Sequence, residues 1–436
     1  MDDFWARVPG SFGPPVVGQS LEFYRDYLGL LGRFHRAHGP VFKLRIVGLR
    51  SLSLLGADAN RLVLADRAEA FSSRLGWEYT LGELFRRGLM LRDGEDHRHH
   101  RRILQVAFQR PALASYVEQM EPLVERGLES WAGARTHAYD RTKRLLLDLA
   151  ARVFLGLTLQ EQVDEIGAAF RRVVKGSTAF VRYPVPFLDY GRGLAARRRL
   201  EAFFLDVVRE RRRRPTPDLM GRLCTAVSEE GETLSDQEVV DHVIFFMMAA
   251  HDTTTSALTS LFYQLALSPA WQDRLREESR ALAGPLGLDA LRALEPLRWA
   301  IAETLRLHPP LVVIPRRTVA EVEFAGYRLP PGTSVAVMPA YTHRMPEYWT
   351  EPERFDPERF TEARAEDRRV PFSYVPFGAG MHLCLGMFFA EVQARLVAHH
   401  VLRRFRWSVD PGYRAPYRQV PIQAPTDGLP LRVQPL

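Results

Sequence analysis

Apolar positions recur at helical spacing over most of the chain, and period-two runs are confined to two short regions. Residues 21–38 predict a short helix. Residues 41–47 and 51–55, with leucine and β-branched content around Gly48, predict a hairpin. From about 57 to 283 the spacing is mostly helical, with clear stretches at 117–131, 144–156, 159–174 and 194–213. Ser235-Asp236-Gln237-Glu238 reads as a capping box, opening a helix through a very apolar centre to about Leu267 and stopping at Ser268-Pro269. A further helix over 297–308 ends at Pro309-Pro310, and strand-like pieces follow at 319–324, 327–329 and 334–338, punctuated by Gly326, Pro330-Pro331 and Gly332. Beyond a proline-studded stretch at 344–377, residues 385–405 predict a last long helix. The expected fold is mainly α with a smaller β part, a single domain over 1–436. Its β-rich part covers about 40–60 and 311–340, and its helical body about 61–310 and 385–405.

Composition narrows the function classes. At 436 residues, 46% hydrophobic and 25% charged, the chain is ordinary globular protein, with no linker or repeat to divide it. The net charge of +7 is almost all arginine, with three lysines, Lys43, Lys143 and Lys175. The arginines are scattered among 52 acidic residues, and the densest run, 211–214, precedes Pro215 as a helix end would. Nucleic-acid binding is therefore not expected. Two cysteines, Cys224 and Cys384, give no disulfide framework and fit a reducing, cytoplasmic setting. Cys224 sits among apolar residues and reads as core. The first 18 residues are polar and rich in Pro and Gly, and the longest apolar stretch, 243–250, is too short to span a bilayer. Neither a signal peptide nor a transmembrane anchor is expected.

The chemistry concentrates around Cys384, in Pro376-Phe377-Gly378-Ala379-Gly380-Met381-His382-Leu383-Cys384-Leu385-Gly386. Glycines before the cysteine allow tight turns with positive φ, and Gly386 lets a flat ring lie close to the backbone. A helix starting after Cys384 turns its positive end toward the sulfur and favours a thiolate. This pattern, Phe-x-x-Gly-x-(Arg/His)-x-Cys-x-Gly, resembles the signature of the cytochrome P450 family, in which the cysteine is the axial ligand of haem b iron.

Further motifs follow in the order that family has them. Glu303 and Arg306, three apart on a helix, can pair; alone they would be a routine surface pair. They resemble the family's Glu-x-x-Arg, whose third partner is an arginine of a Pro-Glu-Arg-Phe element. Two copies of that string are present, at 352–355 and 357–360, and Arg359 fits the family spacing better than Arg354. Ala249-Ala250-His251-Asp252-Thr253-Thr254 interrupts the most apolar helix with polar groups that cost desolvation. Such a pair needs a partner or a task to offset that cost, and a polar kink bonded back to the helix is the alternative reading. The segment resembles the family's oxygen-activation groove, in which Thr253 would hold activated oxygen and a water while Asp252 feeds protons. Ala250 stands where glycine is usual, and His251 reads as a spacer or a supporting hydrogen-bonder. His97 and Arg101, one turn apart in the 96–102 His/Arg cluster, match positions that grip a haem propionate, and the surrounding arginines oppose a divalent metal. Arg316, with Arg317 as its neighbour, and His382 complete the propionate donors.

The resemblance implies a haem-thiolate monooxygenase that hydroxylates or epoxidises a hydrophobic small molecule such as a terpenoid, steroid or long acyl compound. It would act as a monomer with O2 and electrons from a ferredoxin and its reductase, and Arg98, Arg102, Arg110 and Arg395 are candidates to attract an acidic donor. Expected pocket residues include Leu75, Trp77, Tyr79, Leu84, Phe85, Leu89 and Met90, then Phe180, Val181, Phe187, Phe245, Phe246 and Ala249, and Leu311, Val312, Val313 and Ile314. A peroxide-using or isomerising enzyme and a non-catalytic haem carrier or sensor are the alternatives; Asp252 and Thr253, which serve proton delivery to dioxygen, argue against them.

Overall fold

The computed structural model describes all residues except Met1, Val47, Ala132, 157–159, 229–230, Ala283 and Pro285. Helix dominates, with a smaller β part, as the hydrophobic spacing predicts. The chain forms two compact units. One comprises Met1–Tyr79, Ala302–Cys384 and Tyr417–Ala424; the other comprises Thr80–Ile301, Leu385–Pro416 and Pro425–Leu436.

The first unit is built on a five-stranded sheet in the order Val41–Ile46, Leu49–Leu54, Ser334–Val337, Ile314–Thr318, Phe71–Ser72. The expected hairpin is present, with Val41 opposite Leu54 and Ile46 opposite Leu49. Leu52, Leu54, Val335 and Val337 from its central strands enter one apolar cluster with Val41, Val63 and Ile314. The strand Ile314–Thr318 was not legible as such, since it carries Pro315 and two arginines. Its burial alternates, so Arg316 is buried and Arg317 half-buried. The 319–324 run forms only the short strand Val322–Phe324, hairpinned to Tyr327–Leu329. The expected 21–38 helix is two helices, Ser20–Arg25 and Tyr27–His38. Asp26 leaves helical geometry between them, and its carboxylate accepts from Gly29 N at 3.0 Å.

The second unit is helical around Asp236–Leu267, which is buried over most of its length. Its start is the expected capping box: Ser235 Oγ accepts from Glu238 N at 3.3 Å, and Glu238 Oε2 accepts from Ser235 N at 2.9 Å. Helices Ala138–Leu155 and Asp189–Arg213 begin earlier than the apolar spacing shows, because their first turns are polar. Of the predicted 159–174 helix, Leu159 lies outside the described residues and the remainder falls in Gln160–Ser177. A three-stranded sheet, Gly133–His137, Pro430–Pro435, Phe405–Ser408, completes this unit. Among the described residues no helix is long and apolar enough to cross a membrane.

Candidate functional site

The cysteine loop belongs to the first unit. Cys384 N donates to Phe377 O at 3.0 Å and Gly378 N to Val375 O at 3.0 Å, which folds the segment back on itself and leaves the Cys384 side chain exposed. Gly378 (φ 72°) and Gly380 (φ 64°) take the left-handed conformation. A Cβ on Gly380 would also collide with Leu64 O, so two constraints select glycine there. His382 is half-buried in a single helical turn, Gly380–His382.

Behind the loop stands a buried ion-pair network in the same unit. Arg306 grips Glu303 through two bonds, Nε to Oε2 at 2.7 Å and Nη2 to Oε1 at 2.9 Å. Arg359 Nε reaches Glu303 Oε1 at 3.3 Å, and its Nη1 reaches Glu366 Oε2 at 3.0 Å. Arg354 lends only its backbone carbonyl to Arg306 and Arg359, while its exposed side chain pairs with Glu351 at 3.0 Å. Arg359 is thus the third partner. His343 extends the network: its carbonyl accepts from Arg306 Nη1 at 2.8 Å, and its Nε2 accepts from Val375 N at 2.9 Å, where the cysteine loop begins. Neither Glu366 nor His343 was anticipated, since no local pattern links them to the pair. Arg316 is buried on its strand, and Gly76 gives that strand room, since a Cβ there would lie 2.7 Å from Arg316 Cα.

In the second unit, Met387–Arg404 follows Cys384 with Gly386 at its start, and a Cβ on Gly386 would meet only Phe108, at 3.9 Å. The Asp252-Thr253 pair lies mid-helix. Thr253 Oγ1 donates back to Ala249 O at 2.6 Å, the local bond expected of a helical threonine, and its oxygen keeps lone pairs for accepting. Ala249, Ala250, Thr253 and Ala257 form a half-exposed strip on a helix otherwise mostly buried, whereas Thr254 is buried. Asp252 Oδ1 lies 2.9 Å from Lys143 Nζ and 3.4 Å from His251 Nδ1. Burial alone would raise its pKa; His251 and Lys143 outweigh that and hold the carboxyl below the usual range. His251 is therefore a supporting group, as expected, with Nε2 donating to Lys143 O at 3.0 Å. Lys143 itself, more than 100 residues away in sequence, was missed.

The 96–102 cluster divides by helix face. His97 is buried and Arg101, one turn on, half-buried. His100 meets His242 at 3.0 Å, and burial, then Arg92, pushes it down to about 4, so it is neutral. Among the described residues no cluster of three or more His, Cys, Asp or Glu side chains is placed to hold a metal ion. Of the cations offered to an acidic donor, Arg98 pairs with Glu95, Arg110 with Asp289 at 2.7 Å, and Arg395 is buried 3.7 Å from Glu391; Arg102 is exposed. Three pocket candidates are corrected: Phe180, Val181 and Phe187 are exposed loop residues. Leu84, Phe85, Leu89, Phe245 and Phe246 are buried, and Gly88 leaves room for the Phe245 ring, whose Cγ would lie 2.6 Å from an added Cβ.

The donor set fits haem b: an exposed soft sulfur on a glycine loop, buried or half-buried cationic side chains suited to propionates, and a small-residue strip beside a threonine. The comparisons agree. The family model for cytochrome P450 matches residues 8–424. Cytochrome P450 136 of Mycobacterium tuberculosis is 40% identical, over 98% of this chain and 88% of that protein. Abscisic acid 8'-hydroxylase 3 of Oryza sativa subsp. indica is 30% identical over 92% and 81%. The structure of retinoic acid-bound cyanobacterial CYP120A1 superposes with a TM-score of 0.89 at 30% identity, over 98% of this chain and 99% of that one.

Proposed function

The chain belongs to the cytochrome P450 family and is a haem-dependent monooxygenase, and on that premise we propose that it oxidises a hydrophobic small molecule of terpenoid, steroid or long acyl type, by hydroxylation or epoxidation, with electrons from a separate ferredoxin and its reductase. It acts as one domain over residues 1–436. The observation that carries the substrate reading is the line Phe245, Ala249, Thr253 along one side of the central helix, an aromatic ring, a methyl and a hydroxyl at successive turns. Two similar proteins support the terpenoid choice by the compounds in their names, since retinoic acid and abscisic acid are both cyclic isoprenoid acids.

Haem held through the Cys384 sulfur would supply the oxygen-activating chemistry, one atom of dioxygen entering the substrate and the other leaving as water at the expense of two electrons and two protons. Cys384 ligates the iron, with Phe377, Gly380 and Gly386 shaping its surroundings. His97, Arg101, Arg316 and His382 bind the propionates by charge-assisted bonds. Glu303, Arg306 and Arg359 fix the backbone from which the cysteine loop starts. Asp252, held ionised by Lys143 and His251, stands between the more exposed Lys143 and Thr253, where it orients water that carries protons toward the Thr253 hydroxyl. Ala250 narrows this groove by one methyl relative to glycine.

The test is a titration of the purified haem protein with a retinoid acid, a sesquiterpenoid acid, a steroid and a long-chain fatty acid. A low-to-high spin shift is expected with the isoprenoid acids, followed by a singly oxygenated product when ferredoxin, its reductase and NADPH are added. No shift with any of the four would overturn the substrate class. Turnover with peroxide but not with the electron chain would overturn the proposed electron supply.

A further inference from the structure

One imidazole ties two long helices together. His100, on the helix Gly94–Gln105, and His242, on the central helix, meet at 3.0 Å between Nδ1 and Nε2. The other ring nitrogen of His100, Nε2, faces Glu238 Oε1 at 3.4 Å and Asp96 Oδ1 at 3.5 Å. Glu238 and His242 stand one turn apart, so the central helix holds both nitrogens of a single ring from one face. His100 is 3% exposed and His242 is fully buried.

Chemistry assigns the protons. Burial works against the Glu238 carboxylate, yet bonds from Ser235, with His100 and Arg92 nearby, hold it below the usual range. A carboxylate only accepts, so the proton of a neutral His100 belongs on Nε2. Its Nδ1 then accepts, and His242 donates from Nε2. Burial, then His100 and Arg92, keep His242 neutral as well. Its Nδ1 is left as a buried acceptor with no partner among the described residues. Two apolar side chains would join the helices without that cost, so packing alone does not account for the pair. The His242 ring is itself backed by Phe246, stacked at 6.1 Å and 25°.

The clamp governs the neighbouring face of its helix. His100 is three residues past His97 and one before Arg101, the two proposed propionate donors. At helical spacing His97 lies about 60° round from His100 and Arg101 about 100°, on the same side. Arg92 bonds Asp96 at 2.6 Å and Arg87 O at 2.8 Å, which ties the start of the helix to the segment before it. Donors to a bound group must be held within about 0.5 Å, or a roll of roughly 10–20°. A single contact lets a helix pivot; two contacts to both nitrogens of one ring do not. We propose that His100, held between Glu238 and His242, is a positioning residue for haem: it fixes the rotation of this helix, and so the aim of His97 and Arg101 at the propionates. The proposal rests on the reading of those two residues as propionate donors.

The test compares His242→Leu, which removes the donor, with His242→Gln, whose amide nitrogen can stand where Nε2 does, both as the purified haem protein. Three quantities are measured: the propionate bending bands in the resonance Raman spectrum, the rate of haem transfer to apomyoglobin, and the urea midpoint. His242→Leu should shift the propionate bands and release haem about tenfold faster, the size expected for a buried hydrogen bond lost from one side. His242→Gln should restore both toward wild type, and each variant should keep the thiolate carbon-monoxide spectrum. Glu238→Gln, which retains the helix cap, should shift the same bands, and it carries the test if the leucine variant does not fold. Wild-type bands and release rate in His242→Leu, beside a lower urea midpoint, would make the pair a structural contact and overturn the proposal. A shift that His242→Gln leaves unrestored would trace the effect to volume and overturn it too. Arg101→Gln separates the two readings. Bands moved by Arg101→Gln but not by His242→Leu refute the positioning alone; bands moved by neither refute the donor assignment with it.

Discussion

Lys143 Nζ lies 2.9 Å from Asp252 Oδ1, and the same lysine's carbonyl accepts from His251, so one residue from a separate helix holds both polar side chains ahead of Thr253. Lysine is only partly exposed and the carboxylate less so, a gradient from solvent into the helix interior. We predict that Asp252→Asn lowers product formation by about a hundredfold, in the range of a lost general acid. Lys143→Met should lower it less and raise the solvent isotope effect. Both should retain the thiolate carbon-monoxide spectrum. An unchanged rate in Lys143→Met would remove the lysine from the proton path.

The same pair has a stability signature. The pKa of Asp252 is depressed in the folded state, so the stability it contributes is present above the unfolded value of about 3.8 and lost as pH falls through the folded one. Lys143→Met should therefore lower the urea midpoint at neutral pH, and the deficit should shrink as Asp252 protonates in acid. An equal deficit throughout would assign the effect to packing.

Glu278 behaves in the opposite sense. Burial, aided by Glu295, pushes its carboxyl up to about 7, although it accepts from Leu297 N at 3.1 Å. A folded value above the unfolded one means the folded state binds the proton more tightly, so this contribution is full below the unfolded value and lost as pH rises through about 7. Glu278→Gln, which keeps an acceptor for Leu297, should flatten the decline in stability across that interval. Parallel urea midpoints of mutant and wild type at each pH would contradict this.

Removing one partner from the buried Glu303 network should be costly. Glu303→Ala leaves Arg306 and Arg359 buried without their shared carboxylate. A loss of about 3–5 kcal/mol is expected, read as a lower denaturation midpoint and faster haem release. Arg354→Ala, whose side chain points to solvent, should cost little.

Thr253→Ala should raise the electrons consumed per product formed, while Thr254→Ala, on the buried side of the helix, should not. Cys384→Ala should abolish the thiolate spectrum and activity together. Product formation by that variant would refute the ligand assignment.

The helices and the cysteine loop were readable from sequence because their signals are local: helical spacing, the Ser235 capping box, glycines at fixed offsets from Cys384. The strand bearing Arg316 was not, because Pro315 and two arginines mask its alternation and only its place between two other strands keeps it extended. Lys143, His343 and Glu366 were invisible for a related reason, since each acts through contacts that no short-range pattern encodes. The exposed Phe180 and Phe187 misled because hydrophobicity alone does not say whether a side chain is covered.

The central sheet imposes an order on synthesis. Leu52 pairs in parallel with Val335, so the Leu49–Leu54 strand waits for a neighbour made about 280 residues later. At typical elongation rates this interval lasts roughly 15–60 seconds, during which the early hairpin keeps a bare apolar edge. Polar Arg50, Ser51 and Ser53 interrupt the leucines of that strand, a pattern that disfavours pairing of such an edge with another chain before its partner emerges.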